Sequence, residues 1–157
     1  MSDESEKLIA EIEEQERRLV FDKFDEADAW ALGCLLVNLA TQRGLPVAVD
    51  IRRGEQQLFH AGLPGSTADN DVWIARKVRV VYRFAGSSYL VGRQLAAKGR
   101  QLDAAMGVDP ALFAAHGGAF PIRIRGVGVV GAVTVSGLPQ AEDHALVVEA
   151  LETFLED

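Results

Sequence analysis

Three histidines, His60, His116 and His144, and one cysteine, Cys34, are the side chains of this 157-residue chain best suited to ligate a metal or move a proton near neutral pH. They show no metal-ligand spacing, no Ser-His-Asp order and no nucleophile elbow. His116 directly precedes Gly117-Gly118, where bare backbone lets a ligand approach closely; alternatively it ends a short helix, where the dipole favours it. His60 closes a strand and is either a ligand or a satisfied hydrogen-bonding group. His144 falls near the edge of an apolar helix face and reads as packing or surface. Cys34 lies within an apolar run, residues 29–40, and reads as a buried, inert thiol. Asp69-Asn70-Asp71 lacks the glycine and distal glutamate of a calcium loop, so helix capping explains it better. Arg76, Lys77, Ser87, Ser88 and Tyr89 either line an anion pocket with Asp50 and Arg52 or are polar surface and caps.

A literal G-x-G-x-x-G occurs at Gly126, Gly128 and Gly131. A dinucleotide loop needs a helix opening at the third glycine, so that its amides hold the pyrophosphate. Here Ala-Val-Thr-Val-Ser follows, a β-branched run that belongs in a strand. No NAD site is expected; the glycines mark a bulge or a strand approached closely by a helix or another backbone.

The elements that must position these residues follow from patterning. Leu8, Ile12 and Leu19 form a thin apolar stripe on a helix over residues 5–20, lying on its own domain or on a neighbouring subunit. Asp25 caps a helix to about Arg43, apolar nearly all round and so buried on more than one side. Residues 47–52 and 56–61 alternate as a hairpin around Arg53-Gly54-Glu55. Trp73, Lys77, Val80, Val81 and Phe84 follow helical spacing, and Gly86-Ser87-Ser88 recaps a further helix to about Lys98. Asp109-Pro110 starts one short helical turn that Gly117-Gly118 ends. Residues 120–125 and 127–136 are strands, the second central and covered on both faces, with Gly128 or Gly131 touching a helix. Ala141, Ala145, Val148, Leu151 and Leu155 give the last helix its apolar face.

Length and the absence of a linker imply one domain, residues 1–157, with 1–24 a helical and extended arm. A net charge of -7 argues against nucleic acid, and no apolar run is long enough for a membrane span. The acidic N-terminus is unlike a secretory or mitochondrial signal, which makes the expected location cytoplasmic.

The stretch from Ala114 to Leu151 resembles the haem-degrading domain family, which includes HbpS-like and GlcG-like proteins and the C-terminal domain of a cobalamin adenosyltransferase. The likeness rests on Gly117-Gly118-Ala119-Phe120-Pro121-Ile122, on Gly131-Ala132-Val133-Thr134-Val135-Ser136-Gly137, and on Glu142 or Asp143 opening the last helix. Residues 44–60, 63–77 and 83–92 are similar to an uncharacterised subgroup of that family found in bacteria and fungi. The resemblance implies an α/β (α+β) fold, a profilin-like three-layer α/β/α domain around an antiparallel sheet of about five strands, in homo-oligomers built from dimers. It also implies haem as a candidate ligand. Haem-ligating members have been proposed to use an exposed histidine or one on the first helix, and the helix after Asp25 has none. Ligation would then fall to His60, His116 or His144. His116 has the best setting, with Gly117 and Gly118 beside it and Arg123 or Arg125 to meet a propionate. The expected function is a small-ligand binding module, for haem or another planar or anionic compound. A non-catalytic oligomeric scaffold is the alternative, and an enzyme acting on haem or a small metabolite is the weaker third.

Overall fold

The structure is a computed structural model that describes residues 2–156. Helix α1 (Asp3–Arg18) starts where the Ser2 hydroxyl accepts a hydrogen bond from the Ser5 amide at 3.1 Å. Its stripe is mostly internal. Ile12 and Leu19 are buried while Leu8 is half-buried, and the chain then runs extended to Phe24, so most of this stripe is covered by its own domain. A capping box between Asp25 and Asp28 opens α2 (Glu26–Gln42), and Gly44, at φ +63°, follows its end.

Strands β1 (Ala48–Arg53) and β2 (Gln56–Gly62) form the expected hairpin. Asn70 accepts from the Thr67 amide at 2.8 Å at the start of α3 (Ala68–Phe84), and Ser87 caps α4 (Ser88–Ala97). Strands β3 (Ala119–Ile124) and β4 (Gly128–Ser136) and helix α5 (Gln140–Leu155) complete the chain. The sheet is antiparallel throughout, in the order β2-β1-β4-β3, so β4 is central. It has four strands where about five were expected. The fifth position is a single parallel bridge, Phe21 to Ile124, held by amide-to-carbonyl bonds of 2.8 Å on either side of Phe21.

Strand alternation builds the three layers. Val49, Ile51, Phe120, Ile122, Val133 and Val135 face α2 and α5, while Ala48, Ala119 and Ala132 face Ile74, Val78 and Val81 of α3. The small residues on the second face let α3 lie close to the sheet. Among the described residues no helix is long and apolar enough to cross a membrane.

Four expectations need correction. Gly126 and Gly128 sit at the β3–β4 turn, and the close neighbour of Gly131 is the β1 backbone at Arg52, not a helix. The register also slips between Ile122 and Arg123, so the glycines mark a bulged hairpin. Residues 109–112 close one hydrogen-bonded turn, the Leu112 amide on the Asp109 carbonyl at 2.9 Å, but it does not run on to Gly117: Arg76 donates to the carbonyls of Pro110 and Phe113 and Arg79 to that of Leu112. Those carbonyls serve tertiary contacts instead of a helix ladder. In α5 Ala141 and Ala145 are exposed, whereas His144, Val147, Val148 and Leu151 are buried between the sheet, α2 and α1. Finally, α2 packs on the sheet and on α5 but leaves one side open. Trp30 is 63% exposed and Cys34 half-buried, so the thiol is not sealed in the core.

Candidate functional site

His116 lies in the loop entering β3, at the seam between two cavities. Its ring is exposed and meets Trp73 of α3 edge-on, with centroids 5.6 Å apart. Partial burial, and then the charges of Lys77, Arg76 and Arg93, hold its pKa below the usual histidine value, which favours the neutral imidazole.

On one side opens a cleft of about 620 Å³, with Arg76, Arg93 and Arg100 alongside Leu95, Leu102 and Phe113 in its walls. The Arg76 guanidinium stacks over Trp73 at 4.5 Å. The Nε–H groups of Arg76 and Arg93 are buried without a protein acceptor among the described residues. Such a lining suits an anionic group on an otherwise apolar body. Gly92 shapes the cleft, since a Cβ there would fall on the Ala115 carbonyl oxygen.

On the other side is a polar recess of about 280 Å³ between α3, the end of β4 and the start of α5. At its floor Lys77 Nζ donates to Asp143 Oδ2 at 3.2 Å and to the Val135 carbonyl at 3.3 Å. Lys77 is 4% exposed and Asp143 1%. The Asp143 carboxylate also accepts from the amides of Gly137 and Leu138, at 3.3 and 3.0 Å. Burial holds the Lys77 ammonium below its usual pKa and pushes the Asp143 carboxyl up to about 6, against the pull of its neighbours. Gly118, at φ +140°, leaves space for the amine: a Cβ there would lie 2.7 Å from Lys77 Nζ.

Gly117 and Gly118 do adjoin His116, but the other expected site residues stand elsewhere. His60 Nε2 is 2.6 Å from Asp71 Oδ1, the satisfied hydrogen bonder rather than a cavity residue. Arg123 lies at the far end of β3, donating to the carbonyls of Ala85 (2.7 Å) and Glu16 (3.4 Å). It straps α1 to the turn before α4 and cannot meet a ligand at His116. Arg125 turns to Asp22, at 3.1 Å. The group imagined around Arg76 is dispersed. Asp50 takes Arg52 and Gln57, Ser87 caps α4, and Ser88 brackets the backbone of Ala119.

His144 is neither surface nor plain filler. It is 4% exposed, sits 4.9 Å from the Tyr89 ring and 5.9 Å from Phe120, and has Nε2 2.7 Å from Gln15 Oε1. Its Nδ1 has no partner among the described residues, and burial lowers its pKa to about 4. The Lys77–Asp143 pair was not singled out from the sequence. Its signal was there in Lys77, a charge on the stripe that Trp73, Val80 and Val81 mark as core-facing.

A family model described as "Haem degrading protein HbpS-like" matches residues 24–152. A UPF0303 protein of Streptomyces coelicolor is 65% identical over 147 residues, covering 94% of this chain and 93% of its own. The crystal structure of Ybr137w protein superposes with a TM-score of 0.85 at 34% identity, over 94% of this chain and 87% of that one. The crystal structure of a PduOC:haem complex superposes with a TM-score of 0.69 at 16% identity, over 82% and 92%, a likeness of fold.

Proposed function

Because the chain belongs to the HbpS-like family, we propose that it is a small-ligand binding module, with haem as the ligand, held in the cleft beside His116. The observation that carries this reading is the composition of that cleft: one imidazole at its edge, arginines in its walls and apolar side chains between them. His116 would hold the haem iron through its neutral imidazole, and Arg93 or Arg100 would replace Arg123 as the partner of a haem carboxylate. Bound haem supplies a redox-active iron; the protein's part is to orient it and hold its carboxylates. The PduOC structure, a haem complex on the same fold, supports the choice of ligand.

Titrating the ligand-free protein with haemin should give a saturable, shifted Soret band. His116→Ala should weaken it, while His60→Ala and His144→Ala should not. Three variants that behave like wild type would make the haem adventitious.

The protein also assembles with copies of itself in this reading. Trp30 packs on Phe59 of β2 with ring centroids 5.4 Å apart, so its exposed indole borders β2, a strand that pairs on one side only among the described residues. An open edge beside an exposed aromatic suits an isologous contact. That contact, with no reaction at all, is what the scaffold alternative would rest on. A half-buried lone thiol at Cys34 suits a reducing, cytoplasmic compartment.

A further inference from the structure

We propose that the recess behind His116 is a carbonyl-binding site in which Lys77 Nζ forms a Schiff base with a small aldehyde or ketone and Asp143 moves the proton. The inference stands apart from the haem reading, since it concerns the polar recess and not the arginine cleft. Three features carry it. The amine lies at the floor of a cavity of about 280 Å³, room for a small compound. Gly118 lets the backbone lie against the amine, where a Cβ would stand 2.7 Å from Nζ, and so fixes the amine beneath the recess. Asp143 Oδ2, at 3.2 Å, is within proton-transfer distance.

A lysine already paired to a buried carboxylate is a poor receptor for an anion, because its charge is answered. It is a good latent nucleophile. Passing one proton from Nζ to Asp143 gives a neutral amine and a neutral acid, the forms that burial favours at both groups. The amine lone pair then attacks the carbonyl carbon. A C–N bond forms, and the carbonyl π pair moves to oxygen, which takes the Asp143 proton while the carboxylate recovers one from nitrogen. Asp143 next protonates the carbinolamine hydroxyl, which leaves as water while the nitrogen lone pair closes the C=N bond. The products are an iminium on Lys77, a carboxylate on Asp143 and one water. Ser136 and Asn70, which line the recess, are placed to hold the departing oxygen.

The test is reductive trapping. The full-length protein, free of haem, is incubated at neutral pH with acetaldehyde and cyanoborohydride, and ethylated lysines are mapped by peptide mass spectrometry. Lys7, Lys23 and Lys98 are exposed and serve as internal references. Lys77 should be ethylated at least about tenfold faster than any of them, because exposed ammonium groups are almost wholly protonated at that pH. Asp143→Asn should slow Lys77 and leave the reference lysines unchanged. Labelling of the three exposed lysines with Lys77 untouched until urea is added would overturn the proposal and leave the pair a structural clamp. Neither outcome bears on the Soret titration, so the two readings fail separately.

Discussion

Burial with no charged partner sets the titration of His144, which makes it the clearest single-residue test of this structure. The unfolded side chain protonates near 6.5 and the folded one only near 4, so between those values the unfolded state binds more protons. Stability contributed by the neutral ring is therefore full above pH 6.5 and is lost as pH falls towards 4, by about 3 kcal/mol. Asp143 acts in the opposite sense. Its folded carboxyl keeps the proton up to about 6 where the unfolded one releases it near 3.8, so its contribution declines as pH rises through that window. Urea unfolding of wild type and His144→Phe at pH 7 and pH 4 isolates the histidine, because the variant keeps every carboxylate contribution and lacks only that of His144. Wild type should lose about 3 kcal/mol relative to the variant across that range; a difference that stays constant with pH would remove His144 from the buried set. Sequence brought His116 forward because Gly117-Gly118 announces close backbone approach, and the structure places it between two cavities. It misplaced Arg123, because nothing local says which end of a strand a side chain serves. The Lys77–Asp143 pair joins residues 66 apart in the chain, and no spacing rule connects them.

Elements defined by local chemistry were legible. The Asp25 capping box, the Gly54 turn and the Ser87 cap each rest on a few adjacent residues, and α2, the β1–β2 hairpin and α4 fall where those signals put them. The segment 109–117 keeps only its first turn at Asp109, because its signal was equally local while Arg76 and Arg79 of α3 take the carbonyls that follow. The glycines of the β3–β4 hairpin give a graded prediction. Gly131→Val would drive a side chain onto the Arg52 carbonyl in the adjacent strand, where a backbone cannot yield, and should destabilise by about 3 kcal/mol. Gly126→Ala meets nothing within 4 Å but must hold φ +78°, a cost of about 1 kcal/mol. Thermal or chemical unfolding should rank them in that order. Equal effects would mean that the strands are not packed as tightly at Gly131 as the register requires.

At the scale of the whole molecule, most of the N-terminal stripe is spent inside the fold, and the larger open apolar surface belongs to α2. A helix this apolar, set on β1, β2 and α5 with one side left open, keeps Trp30 in water at the border of an unpaired strand edge. A two-fold contact pairing β2 with β2 would cover both at once: the edge amides and carbonyls would find partners, and two indoles would lose their hydration together. Charge placed there should be costly in the assembly and nearly free in the isolated chain, whose core does not use the exposed part of that ring. Trp30→Glu should therefore shift light scattering at micromolar concentration from an oligomer to a smaller species with the far-ultraviolet spectrum unchanged. Ile12→Glu, by contrast, should lower the melting temperature, because α1 is held by its own domain. A wild-type protein that scatters as a monomer, or a Trp30→Glu variant that stays assembled, would rule this contact out and return the open face of α2 to some other partner.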